Sequence, residues 1–259
     1  MEQEFAGKIA LVTGSSGIGL GAALRLAGGG AKVFVCGIDE AHNQAATEAA
    51  KGLDVTVAKV DVSDEAQVSN WIAPIGAAEG GIDILVNAAA IQTYGDLTST
   101  DSAHWDKVMA INLRSCFLTS HHAYPFMKGR GGGSIVHVSS VQGHANQYGV
   151  LAYATTKGAI HAMTRAMAVD CAKEKVRVNS VSPGSVRTPL LEFAAQEVAG
   201  PGNDIEPAIK EFGAAHPIGR VGTVEETSEL IAFLASERSG FCTGGDYLVD
   251  GGLTAYIGV

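Results

Sequence analysis

The sequence predicts one α/β domain spanning residues 1–259, a doubly wound parallel sheet with helices on both faces. Three observations predict it. Short runs rich in Val and Ile alternate with longer stretches of helical character, the pattern of a parallel sheet buried on both sides. A glycine-rich turn follows the first of those runs and leads into a helix. No linker-like break, low-complexity tract or fixed-period repeat divides the chain. Within the single domain, about residues 190–216 are expected to form a lid over the site.

The first apolar run, Lys8 to Thr13 (KIALVT), ends in glycine and reads as a strand. Further strands are expected at Lys32–Cys36, Val55–Val60, Ile82–Val86, Ser134–Val138, Val176–Val181 and Tyr247–Val249. Helices are expected between them, at Leu20–Ala27, Ala41–Ala50, Asp64–Ala73, Ala103–Met127, Ala152–Ala172 and Glu225–Ala235. Thr223 followed by Glu225-Glu226 resembles an N-terminal capping arrangement for the last of these. Trp71 and Trp105 read as packing residues, and His137 as a core histidine with its hydrogen bonds satisfied.

Composition excludes several classes of function. The chain is 46% hydrophobic and 17% charged, enough to build a core and too uncharged for a disordered chain. A net charge of −9 argues against a nucleic-acid binder, which needs a basic face, and against an anionic membrane surface. The opening MEQEFAGK carries two acids and no apolar stretch, so it does not read as a signal peptide. No run approaches the ~18 apolar residues of a membrane span. Cys36, Cys116, Cys171 and Cys242 are scattered, which suits reduced thiols in a cytoplasmic protein. His121-His122 point about 100° apart on a helix and read as surface or interface residues. No metal centre is expected.

In such sheets ligands lie beyond the carboxyl ends of the strands, where strand order reverses. Gly14, Gly17 and Gly19 of TGSSGIGLG are placed to let backbone N–H groups approach a pyrophosphate at a helix N-terminus. Asp61, ahead of Val62, can accept from an adenine amino group or cap the next helix. Asn87 ends the fourth strand, and Asn112 is polar within an apolar helical stretch, where it requires a partner. After the sixth strand, Pro183-Gly184 through Val186 and Thr188 form a turn able to lie over a planar ligand.

Tyr153 and Lys157 stand four apart on one helix face, just after the serine-tipped strand that ends at Ser139-Ser140. Tyrosine has a pKa of about 10. A lysine ammonium beside it is expected to lower that by roughly 1–3 units, bringing proton exchange with an alcohol oxygen near neutral pH. Ser140 can hold the same oxygen. Tyr124 and Lys128 repeat the spacing, but Pro125 is expected to push Tyr124 out of helical geometry, so that pair reads as a helix end.

Taken together these motifs resemble the short-chain dehydrogenase/reductase family, from Lys8 to about Gly252, with VDGG at Val249–Gly252 closing the match. The resemblance implies a Rossmann-type seven-stranded sheet, a nicotinamide dinucleotide and a homotetramer. It implies a catalytic tetrad of Asn112, Ser140, Tyr153 and Lys157. Lys157 would hold the ribose hydroxyls, and Asn112 a water linking Lys157 to solvent. Gly14, Ser16, Gly17, Ile18, Gly19, Asp39, Asp61, Val62, Asn87, Tyr153, Lys157, Pro183, Gly184, Val186 and Thr188 would contact the cofactor.

The chain departs from the family pattern in three places. Its glycine turn is one residue short. Asn87-Ala88-Ala89-Ala90 replaces the usual Asn-Asn-Ala-Gly, from which weaker local hydrogen bonding is expected. The aspartate that usually ends the second strand is Gly37, with Asp39 two residues later. Ser16 and Ile38, where the family places a phosphate-binding cation, are uncharged. NAD is therefore expected ahead of NADP.

The substrate is expected to meet Ser140, Gln142, His144 and Tyr153, with Asn146, Gln147 and Tyr148 adding hydrogen-bonding groups. Acids outnumber the single Lys210 within Leu190–His216, which opposes an acidic acyl carrier protein. The later part of the chain resembles sugar-oxidising members such as the L-fucose dehydrogenases, so a sugar or polyol is expected. Two alternatives remain: a 3-oxoacyl-carrier-protein reductase, and a dinucleotide-binding sensor without catalysis.

Overall fold

The computed structural model describes residues 3–257. Seven strands form one sheet: β1 (Ile9–Thr13), β2 (Lys32–Gly37), β3 (Val55–Lys59), β4 (Ile84–Asn87), β5 (Gly133–Val138), β6 (Val176–Pro183) and β7 (Asp246–Val249). Their order is β3-β2-β1-β4-β5-β6-β7, and every neighbouring pair is parallel. The nine α-helices of the described residues are α1 (Gly17–Gly28), α2 (Glu40–Ala49), α3 (Glu65–Ala78), α4 (Ser102–Met109), α5 (Ser115–Arg130), α6 (Leu151–Cys171), α7 (Pro189–Ala199), α8 (Glu206–Ala214) and α9 (Val224–Ala235).

The pleat divides each buried strand between two cores. Ala10 and Val12 of β1 join Val33, Val35, Val86 and Val136 against α1 and α9. Leu11 between them faces the other way, with Leu85, Ile135 and Val178, against α3, α5 and α6. That two-sided burial is why the strands read as continuous apolar runs and not as alternations. The capping box expected at α9 is present, Thr223 Oγ1 accepting from Glu226 N and Glu226 accepting from Thr223 N.

The stretch expected at 103–127 is helical throughout, α4 passing into α5 by way of a π-helical turn, Ala110–Arg114. Two helices run further than expected. Helix α3 runs through Pro74 to Ala78, and α5 through Pro125 to Arg130, so Tyr124 stays helical. The two helices approach so closely at Gly76 that a Cβ there would lie 2.4 Å from the Phe126 ring. Gly131, at φ 97, supplies the left-handed residue that stops α5.

Candidate active site

Strand order reverses between β1 and β4, and a cleft of about 980 Å³ opens at their carboxyl ends. The predicted residues Gly14, Ser16, Gly17, Ile18, Asp39, Asp61, Val62, Ser140, Gln142, Tyr153, Lys157, Pro183, Gly184, Val186 and Thr188 all line it. Asn146, Gln147 and Tyr148 line it too.

The shortened glycine turn still closes. Gly14 N donates to Cys36 O at 2.8 Å, and Gly14 and Gly17 take φ values of 96 and 52 that suit glycine. Thr13 Oγ1 accepts from both Ala88 N and Ala89 N at 3.1 Å. These bonds retain the strand end at Asn-Ala-Ala-Ala. No side chain caps α1, so its first N–H groups remain available to an anion in the cleft. These are the features a dinucleotide pyrophosphate requires, and the residues present fit one.

Gly19 lies outside the cleft lining and serves packing instead. A Cβ there would stand 2.3 Å from Gly14 O, so only glycine lets α1 seat against the turn. At Gly37 a Cβ would meet Ser15 Oγ at 2.1 Å and Asn43 Oδ1 at 2.6 Å, side-chain ends that would have to turn aside for a larger residue. Asp39, two residues on, caps α2, its Oδ1 accepting from His42 N at 2.8 Å. That hydrogen bond holds its pKa below the usual carboxylate value. Asp61 Oδ1 accepts from Ser63 N and Ser63 Oγ, so it both caps locally and faces the cleft.

Asn87, Asn112 and His144, like Gly19, do not line the cleft. Asn87 is buried behind β4, where its Oδ1 accepts from Thr119 Oγ1 at 2.7 Å and its Nδ2 lies 3.2 Å from His137 Nδ1. The reason is register, because the last residue of β4 points its side chain down onto α5. His144 turns away from the substrate side and meets Asp246, Nε2 to Oδ2 at 2.6 Å. The carboxylate is a stronger partner for its imidazole than open solvent in the cleft.

Tyr153 and Lys157 share the cleft floor, the Lys157 Nζ 5.3 Å from the tyrosine ring centroid. Lys157 Nζ donates to Val138 O at 2.9 Å, which ties the end of β5 to α6. Burial decides both titrations. Desolvation pushes Tyr153 up to about 12, with the Ser140 hydroxyl pulling the other way, and draws Lys157 down to about 8. The expected lowering of Tyr153 by its lysine is not found in the protein alone. Asn112 sits in the π-helical turn, its Oδ1 accepting from Ile91 N and its Nδ2 donating to Ile91 O, both at 2.9 Å. Its amide is therefore committed to pinning the segment after β4, and its distance from Lys157 is bridged by no direct bond.

Three further cleft residues, His42, Gln92 and Tyr94, carry no local signal in the sequence, while Phe193 and His216 come from the segment expected to form the lid. Gln92 Nε2 donates to Tyr94 Oη at 3.1 Å, and the Tyr94 and Phe193 rings stand 6.4 Å apart. His216 Nε2 accepts from Ser185 N at 3.0 Å, so its proton lies on Nδ1 and goes to Phe212 O at 2.8 Å. It locks the turn after β6 to the end of α8.

Behind the site, His137 is not the satisfied core residue expected. Its Nε2 is buried with no partner. Burial lowers its pKa from 6.5 to about 4. Between those values the unfolded chain takes up a proton that the folded chain refuses, so stability falls as pH drops through that window. The full loss is about 3 kcal/mol. Urea unfolding of the wild type at pH values above and within that window should show this slope, and His137→Leu should flatten it. An undiminished slope in the variant would remove His137 as its source.

Comparison with known proteins gives concordant matches. Residues 12–254 match the family described as "Enoyl-(Acyl carrier protein) reductase". The chain is 36% identical to 2-(S)-hydroxypropyl-CoM dehydrogenase 3 of Xanthobacter autotrophicus, over 95% of this chain and 96% of that one. It is 35% identical to 2-keto-3-deoxy-L-fuconate dehydrogenase of Xanthomonas campestris pv. campestris, over 95% and 80% respectively. The structure of the aldohexose dehydrogenase of Thermoplasma acidophilum superposes with a TM-score of 0.91 at 33% identity, covering 100% of this chain and 98% of that one.

Proposed function

The chain belongs to the short-chain dehydrogenase/reductase family and is an oxidoreductase, and from that premise we propose that it interconverts a secondary alcohol and a carbonyl on a sugar or polyol, with NAD. The observation that carries the reading is the convergence of Ser140, Tyr153 and Lys157 on the cleft that also holds the uncapped N-terminus of α1.

A nicotinamide dinucleotide held by the glycine turn and Lys157 would, when oxidised, supply the hydride acceptor and a positive charge. The chain's own residues do the rest. Ser140 hydrogen-bonds the substrate oxygen and orients it. Tyr153 Oη takes the proton from that oxygen when the alcohol is oxidised, and returns one when the carbonyl is reduced. Lys157, fixed at Val138 O, holds ribose hydroxyls and favours the phenolate that burial alone disfavours. Asn112, which pins the segment after β4, would fix a water that links Lys157 to solvent.

The pocket walls support a polyhydroxylated substrate. Gln92, Gln142, Asn146 and Gln147 offer hydrogen bonds, and Tyr94, Leu190 and Phe193 offer apolar surface suited to the C–H face of a sugar ring. The two named sugar-derived relatives point the same way. Helices α7 and α8 act as the lid, and their acids, partly paired with Arg187, disfavour an acidic carrier protein. Apolar Phe117 and Val169, exposed on α5 and α6, suit subunit contacts in a homotetramer. No helix among the described residues is long and apolar enough to cross a membrane.

Asp39 supports NAD, since a carboxylate at the end of β2 repels a 2′-phosphate and accepts from a 2′-hydroxyl. Fluorescence titration should give an NADH affinity about tenfold or more above that for NADPH, a difference of about 1.4 kcal/mol. Aldoses and polyols with NAD should then turn over, and acyl thioesters with NADPH should not. Preference for NADPH would overturn the role given to Asp39 and favour the ketoreductase reading. Failure to bind either would sink the enzyme reading.

A further inference from the structure

Behind the catalytic loop, outside the cleft, three side chains from distant parts of the sequence converge. His144 follows the short turn after Ser140, His161 lies one helical turn beyond Lys157 on α6, and Asp246 opens β7. None of the three lines the cleft. Their ligating atoms all lie within 4.8 Å of one another. His144 Nε2 is 2.6 Å from Asp246 Oδ2, and His161 Nε2 is 3.5 Å from Asp246 Oδ1. The two imidazole rings are 4.4 Å apart.

We infer that His144 Nε2, His161 Nε2 and the Asp246 carboxylate form a binding site for a zinc-class divalent cation, with water from the solvent side as fourth ligand. Zinc bonds of about 2.0–2.2 Å place tetrahedral ligand atoms about 3.4 Å apart. The observed separations bracket that value, so shifts of about an ångström close the site. Two imidazole nitrogens and one carboxylate oxygen suit Zn²⁺ and its transition-metal neighbours; Mg²⁺ and Ca²⁺ take oxygen ligands.

The surroundings are built for it. Ser180 Oγ and Ser182 Oγ both donate to Asp246 Oδ1, at 2.5 and 2.9 Å, which fixes the carboxylate and leaves Oδ2 to a ligand. Around His161 Nε2 stand three oxygens, Ser139 Oγ, Ser182 Oγ and Asp246 Oδ1, for a nitrogen that makes one strong hydrogen bond. Releasing that nitrogen to a cation orphans neither hydroxyl, because Ser139 donates to Lys157 O and Ser182 to Asp246. Gly143 lets the loop lie against the ring, since a Cβ there would stand 2.4 Å from His161 Cε1. His161 is buried while His144 is exposed, which gives the ion an entry path. A bound cation would cross-link β7, α6 and the loop that begins with Ser140.

The test uses untagged, chelator-treated full-length protein and the metal alone. Calorimetric titration with ZnCl₂ should show one site per chain, with a Kd of about 1 µM or below. Co²⁺ should give the absorption bands of a tetrahedral centre. His144→Ala, at an exposed position, and Asp246→Asn should each weaken binding by tenfold or more. His121→Ala/His122→Ala, at the other histidine pair, should leave it unchanged. Absence of saturable binding up to about 1 mM, or affinity unaltered in His144→Ala, overturns the inference. Neither readout depends on the nicotinamide reaction.

Discussion

Replacing Tyr153 by phenylalanine is expected to lower kcat by about 10²–10⁴-fold, the usual contribution of a positioned acid–base group. Dinucleotide affinity should change by no more than a few fold. The ring stays in place, because Tyr153 is buried at the start of α6 and the hydroxyl alone reaches the reacting oxygen in the proposed chemistry. Steady-state kinetics with the substrate found by screening, beside an NADH titration, separates the two effects. Near wild-type turnover in the variant would refute the assignment, while lost NADH binding would show a damaged site and leave Tyr153 with a structural role.

The second large effect belongs to a residue that touches nothing in the cleft. Gly19→Ala is expected to weaken NADH binding by about tenfold or more and to lower the melting temperature. Its Cβ would meet Gly14 O at 2.3 Å and Thr13 O at 2.9 Å, both backbone atoms of the turn that must hold the pyrophosphate. Overpacking of this kind costs about 1–3 kcal/mol, and about 1.4 kcal/mol is a tenfold change. Gly28, at the other end of the same helix, has nothing within 4 Å of a built Cβ. Gly28→Ala should leave NADH binding alone and stabilise the protein by up to about 1 kcal/mol. The contrast within one helix separates close packing from helix propensity. Equal behaviour of the two variants would show that the approach of Gly19 to the turn does not matter.

Much of this protein was legible in its sequence because the signals are local. Two-sided burial writes itself as continuous Val/Ile runs, as in β1 and β5. A strand followed by glycines and then a helix marks the phosphate turn, and i, i+4 spacing puts Tyr153 and Lys157 on one face whatever lies around them. The family likeness added the seven strands and the dinucleotide to this. Where the signal was a single residue's usual behaviour, it failed. Pro125 lies inside α5 with Tyr124 still helical, and Phe126 beside it packs tightly on Gly76 of α3.

Other features had no sequence signal. Asn87 faces the core and His144 faces Asp246, because strand register and a distant carboxylate decide where a side chain points. The lowering of the Tyr153 pKa by its lysine fails for a related reason. Spacing brings the ammonium near, but burial sets the balance, and only the Ser140 hydroxyl pulls against desolvation in the protein alone. By itself, then, the sequence determined the α/β alternation, the glycine turn and the serine, tyrosine and lysine of the cleft, all encoded within about twenty neighbouring residues. Only the tertiary structure decided the π-helical turn at Asn112, the His216 clamp, the crowding of Gly37 by Ser15 and Asn43, and the meeting of His144, His161 and Asp246. Each of those depends on atoms far apart in the chain, and nothing in the local order of residues records how close folding brings them.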